Sequence, residues 1–188
     1  DLTSQLEKNY TDPLEQQGEL WAIAAMDLKT QAYSTVNAEQ SMQSASVIKA
    51  FIMAAVYDKL IYPDEGTTVS SDYESTLKPL LTSMITVSDN ESCNELVKLQ
   101  TDSLDFKKGA EDINKYLEKE GYTETSVQHT LHPAASAQES LGGRNMTSVK
   151  DCGTLLEKIY KGECVSKEAS EEMLNPVSYT HLTLPTIA

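Results

Sequence analysis

Residues 44–60, SASVIKAFIMAAVYDKL, decide how the rest of the chain is read. From Val47 to Val56 the run is apolar at every position but one, and it reads as a core helix. The exception is Lys49. A lysine is almost never fully buried without a partner, so its presence at the start of a core helix needs a reason. Ser46 stands three residues before it. On a helix, positions i and i+3 share a face, so the Ser46 hydroxyl and the Lys49 amine can meet.

The chain has 188 residues, enough for one domain with a sizeable core. Hydrophobic residues make up 39% and charge is spread along the chain, which excludes a disordered protein. The formal net charge is −14, which argues against nucleic acid or an anionic membrane as the main partner, since both call for a basic footprint. No apolar run reaches the ~18–20 residues that span a bilayer, so no transmembrane segment is expected. The chain starts at Asp1 and carries no export signal, as a mature exported form would. Cys93, Cys152 and Cys164 show no C-x-x-C spacing. Cys152 and Cys164 flank a turn, and they are expected either to pair as a disulfide or to remain buried thiols.

Around the central helix the spacing predicts a short helix over 2–10 that stops at Pro13, then a hairpin of strands 19–28 and 31–36. Helices are expected over 46–60, 76–87, a stretch following 88–90, 105–119, 148–161 and 167–174. Thr147 is the expected N-cap of the helix 148–161, and Gly121 and Gly162 mark helix ends. Residues 123–146 show no period and read as loop. Two strands alone make a marginal sheet, so either further strands belong to the fold or the hairpin lies on the helices.

Ser46-Val-Ile-Lys49 is an S-x-x-K pattern. A serine hydroxyl is a poor nucleophile until a base takes its proton, and a lysine desolvated by apolar neighbours has a lowered pKa and can be that base. At the start of a helix, free N–H groups can stabilise an oxyanion. The pattern alone is weak, since about one copy arises by chance in a chain of this length. A second copy, Ser75-Thr-Leu-Lys78, lies in a polar stretch, and only the first opens an apolar helix. Ser88-Asp89-Asn90 follows Ser46 by 42 residues, between two helices.

In that order, SASVIK and ITVSDNESCNELV resemble the first two signatures of class A β-lactamases and the related penicillin-binding serine enzymes. The early helix and hairpin, and GGRNMTSVKDCGTLLEKIY at 142–160, are similar to the corresponding parts of that fold. The resemblance implies an α/β (α+β), β-lactamase-like domain: an N-terminal helix and β-hairpin plus a helical block. It implies Ser46 as the acylated nucleophile, Lys49 as its base or part of the proton relay, and Ser88 as the carrier of the proton to the leaving nitrogen. Asn90 would bind the substrate amide and hold Lys49. Asp89 would brace the loop.

Two departures stand out. The family's water-activating glutamate sits in an E-x-x-x-N pattern, whereas the only acid in 128–146 is Glu139, with Gly143 four residues on and Asn145 two positions late. His129 and His132 form H-x-x-H in the same stretch. With no spaced third ligand they read as exposed loop histidines rather than a metal site or a Ser–His pair. No K-T-G or K-S-G tripeptide, the family's third signature, occurs in the chain, and the closing strands and last helix that the family would supply are missing. Residues 1–175 are expected to be the serine hydrolase domain, incomplete at its C-terminal side. VSYTHLTLPT at 177–186 resembles a translated sequencing adaptor, so 176–188 are expected to be a foreign tail and little turnover is expected of the chain as it stands.

The expectation is therefore a monomeric, extracytoplasmic serine hydrolase acting on a small β-lactam or a peptidoglycan-like peptide, with no cofactor or metal. The alternatives are a D-Ala-D-Ala peptidase-like penicillin-binding enzyme and a non-hydrolytic sensor module.

Overall fold

A computed structural model describes residues 1–63, 69–132 and 138–179. The chain opens with α1 (Leu2–Leu6) and α2 (Asp12–Glu15), joined by a wide turn over Glu7–Thr11. Pro13 does not stop this winding. It sits in the first turn of α2, where a missing N–H costs nothing. Strands β1 (Ile23–Met26) and β2 (Tyr33–Val36) then pair antiparallel, with Ile23 opposite Val36 and Met26 opposite Tyr33. Both strands are shorter than the sequence predicts. The hairpin lies on the helices, with β1 packed against the later helix α7.

β3 (Met42–Gln43) leads through a tight turn over Ala45–Val47 into α3 (Ile48–Val56). A helix apolar on all sides belongs at the centre of a domain, and this one is there. Ile48, Phe51, Ile52, Met53, Ala54, Ala55 and Val56 are all buried. Each large side chain among them contributes about 1.5–3 kcal/mol on burial. Phe51 meets Tyr122 edge to face, ring centroids 5.3 Å apart. Around α3 pack α4 (Lys78–Thr86), α5 (Asn90–Lys98) and α6 (Phe106–Lys119). Asp89 caps α5 and Asp105 caps α6, each worth about 1 kcal/mol.

After a long connection, β4 (Met146–Thr147) pairs antiparallel with β3, and α7 (Val149–Lys161) and α8 (Lys167–Tyr179) complete the described chain. The N-cap of α7 is Ser148 rather than Thr147: Ser148 Oγ accepts the Asp151 N–H at 3.1 Å. Thr147 is already committed to β4, and its hydroxyl lies 2.9 Å from that of Thr125. Helix α8 runs past the expected end at 174 and past the expected domain boundary at 175. Residues 180–188, most of the expected tail, lie outside the described residues. Among the described residues no helix is long and apolar enough to cross a membrane.

Glu172 ties α8 to the core by accepting from two tyrosines, Tyr62 at 2.9 Å and Tyr73 at 2.7 Å. Burial, then the Glu172 carboxylate, pushes both phenols up to about 12 from an ordinary 10.0. A phenol that holds its proton more tightly folded than unfolded supports the fold fully below its unfolded pKa. That support drains as pH rises through the folded value. The expected result is a loss of stability between pH 10.0 and about 12, flatter in Tyr73→Phe. Urea melts across that range check it, and identical slopes for the two proteins would refute the assignment.

Candidate functional site

The turn Ala45–Val47 holds Ser46 at the surface, while one helical turn later the Lys49 residue is only 2% exposed. Of the four residues singled out from the sequence, Ser46, Ser88 and Asn90 converge on the amine of the fourth, Lys49. Nζ lies 3.3 Å from Ser46 Oγ, 2.9 Å from Ser88 Oγ, 2.6 Å from the Ser88 carbonyl oxygen and 2.7 Å from Asn90 Oδ1. The Ser88 hydroxyl donates to Ser46 Oγ at 3.1 Å. The second S-x-x-K copy does not take part: Lys78 bonds Glu74 on the surface.

Four oxygens surround a nitrogen that carries at most three protons. As a neutral amine, Nζ has two protons and a lone pair. The two protons then satisfy the Ser88 carbonyl and Asn90 Oδ1, and the lone pair faces the hydroxyls. Burial drives Lys49 toward that form by lowering its pKa, with the nearby Asp89 carboxylate pulling the other way. Asp89 stays ionised, its carboxyl held below the usual range by its bonds to Ser92. Cys93 is pushed up to about 12 by burial and remains a thiol.

The geometry requires unusual backbone. Ala45 (φ 45°) and Ser88 (φ 56°) are both left-handed. At Ser88 this conformation aims both the hydroxyl and the carbonyl of one residue at Lys49. Non-glycine residues hold such angles at a cost of about 1–2 kcal/mol, and they persist where surrounding structure imposes them.

The connection ahead of β4 is pinned beside this cluster by three asparagines. Asn114 accepts the Val127 N–H at 2.8 Å and donates to its carbonyl at 2.9 Å. Asn94, on α5, does the same for Leu131, both at 2.9 Å. Asn145 accepts from the N–H groups of Gln128 and His129 and donates to the His129 carbonyl. Its own carbonyl accepts the Ser44 N–H at 2.9 Å, so the same residue also anchors the turn that carries Ser46. The segment ends against the cluster, where Asn90 Nδ2 donates to the His132 carbonyl at 3.3 Å.

The model of the β-lactamase enzyme family matches residues 5–186. The chain belongs to the β-lactamase enzyme family. Its fold is similar to solved β-lactamases at low identity. One from Chitinophaga pinensis is 19% identical with a TM-score of 0.70, covering 96% of this chain and 74% of that one. One from Xanthomonas campestris is 14% identical with a TM-score of 0.71, covering 97% and 72%. One from Sphaerobacter thermophilus is 17% identical with a TM-score of 0.65, covering 85% of this chain, which spans 63% of that protein's length. No curated protein matches the sequence.

Within this β-lactamase-family fold, Glu139 takes no part in the Lys49 hydrogen bonds. Its backbone pairs with Thr130, and the half-buried residue lines a cavity of about 440 Å³ together with His129 and His132. His129 Nδ1 is bound to the Thr130 carbonyl at 2.7 Å and His132 is exposed. Among the described residues no three His, Cys, Asp or Glu side chains converge as a metal ligand set.

Of the two expectations for Cys152 and Cys164, a disulfide or buried thiols, the structure has the thiols: all three cysteines are free, with Cys93 and Cys164 buried and Cys152 partly so. Cys152 sits in the first turns of α7 and Cys164 beyond its far end. At 1.5 Å per residue the stretch of α7 from Cys152 to Lys161 alone spans roughly 13 Å, whereas a disulfide tolerates Cα atoms about 4.4–6.8 Å apart. The asparagine clamps escaped the sequence reading. Their only signal there is the presence of Asn94, Asn114 and Asn145 at positions that prove buried or half-buried.

Proposed function

We propose that this β-lactamase-family protein is a serine hydrolase that opens β-lactam amides, or a related amide, by acyl transfer to Ser46. The observation that carries this reading is a buried Lys49 whose amine reaches both hydroxyls at once. Lys49 takes the Ser46 proton, and Ser46 Oγ attacks the amide carbonyl carbon. N–H groups at the helix opening face the developing oxyanion. The C–N bond breaks, and the Ser88 hydroxyl, 3.1 Å from Ser46 Oγ, hands the leaving nitrogen a proton and is resupplied through Lys49. Asn90 keeps Lys49 in place through Oδ1 and offers Nδ2 to the substrate's side-chain amide. Such substrates meet the protein outside the cytoplasm.

The test is intact-mass measurement of the full-length protein after adding a penicillin, with antibiotic loss followed in parallel. The expected result is a single adduct on the peptide containing Ser46. Absence of any adduct would overturn the acyl-transfer reading. Glu139, held back by its pairing with Thr130, favours a second reading in which the acyl group is released slowly, as in a penicillin-binding enzyme or a sensor. A stable adduct without antibiotic loss selects that reading.

A further inference from the structure

An acyl-serine can be hydrolysed only if a base takes a proton from the attacking water. In the proposed reaction Lys49 is already enclosed by four oxygens and serves Ser46 and Ser88. The question is which other titratable side chain the fold brings to that point. Resting on the acyl-transfer reading above, we propose that His132 is the base that activates water to release the acyl group from Ser46.

The placement comes from the backbone. Asn114, Asn145 and Asn94 fix Val127, Gln128, His129 and Leu131 in turn, so the chain reaches His132 with little freedom left. The His132 carbonyl then accepts from Asn90, whose other amide atom holds Lys49. Two hydrogen bonds thus separate the His132 main chain from the Lys49 amine. Among the described residues no other titratable residue of 123–132 is joined to the cluster in this way. The His132 side chain is exposed and lines the cavity with Glu139, so water reaches it. The rivals are less free. His129 has one ring nitrogen committed to the Thr130 carbonyl, and the Glu139 main chain is held at Thr130, its N–H donating to the Thr130 hydroxyl and its carbonyl accepting the Thr130 N–H. Asn145 couples the parts mechanically, holding the His129 backbone with its side chain and the Ser46 turn with its carbonyl.

The step balances as follows. A ring nitrogen of His132 accepts a proton from water as the water oxygen bonds to the acyl carbonyl carbon. The tetrahedral intermediate collapses with cleavage of the bond to Ser46 Oγ. The imidazolium proton neutralises the departing alkoxide, leaving a carboxylic acid product and free serine.

The experiment follows the mass of the full-length protein over time after a penicillin pulse, comparing native protein with His132→Ala, His132→Glu and Glu139→Gln. His132→Ala is expected to acylate at the native rate but to lose the adduct about 100-fold more slowly, the lower range for a general base. His132→Glu, which restores a base, is expected to recover part of the loss. Glu139→Gln is expected to release at the native rate. Unchanged release in His132→Ala, or slowed release confined to Glu139→Gln, overturns the assignment while leaving Ser46 acylation intact. A native protein that never acylates overturns both.

Discussion

Ser46→Ala is expected to abolish the penicillin adduct and to cut amide turnover by roughly 10⁴–10⁶-fold, the scale seen when a nucleophile is removed. The reason is local. Ser46 is exposed, so substrate can reach it, and its hydroxyl alone combines that access with a place on the same helical face as a buried amine. Ser88 offers a hydroxyl to the same amine but donates toward Ser46, as a proton carrier does. Ser88→Ala should therefore keep the adduct and slow its formation about 100-fold. Neither residue packs in the core, so both variants should unfold within about 0.5 kcal/mol of the native protein. A Ser46→Ala protein that still gained the mass of a penicillin would remove Ser46 from the mechanism.

The largest expected effect on stability comes from a single methyl group. A Cβ on Gly109 would lie 1.9 Å from the Val97 carbonyl oxygen and 2.9 Å from the Val97 carbonyl carbon, where α6 crosses α5. Both atoms are backbone, so no side chain can swing aside. One helix must move, and α5 starts at Asn90 and carries Asn94. Gly109→Ala is expected to cost about 3 kcal/mol, at the upper end for overpacking, out of a total of roughly 5–15 kcal/mol. Gly153, in α7, has nothing within 4 Å of its would-be Cβ. Gly153→Ala should instead stabilise by about 0.5–1 kcal/mol, because alanine gives up less backbone entropy than glycine in a helix. Urea midpoints of the two variants check both signs, and equal midpoints would mean that the α5–α6 crossing is softer than its geometry implies.

The legible parts of the chain were those whose physics is local. An apolar run of helical length belongs at the centre of a domain, and 47–56 points to α3 together with its one misplaced charge. Gly121 and Gly162 sit at helix ends because a glycine tolerates the left-handed turn. Ser46, Lys49, Ser88 and Asn90 were found from spacing and likeness, and they do meet in space. What could not be read depends on distant partners. The β3–β4 pair is two residues long on each side and has no periodicity to betray it. Thr147 and Ser148 are equally good caps by composition, and the choice fell to Ser148 because Thr125 claims its neighbour. Asn94, Asn114 and Asn145 clamp backbone 13–37 residues away, a task invisible in any short window.

Ala45 and Ser88 hold a backbone hand that favours glycine, and they do so on either side of Ser46, the proposed nucleophile. At these two neighbouring places the interests of the folded chain and of its chemistry part company. Glycine at 45 relaxes the turn and leaves every reacting group in place. At 88 the same change relaxes the backbone but erases a hydroxyl. A laboratory lineage bred only for heat resistance would drift toward glycine at both positions and lose, on the way, the hydroxyl proposed to carry the proton. A lineage bred for amide cleavage would keep Ser88 and gather its compensating substitutions elsewhere, in helices that never touch a substrate.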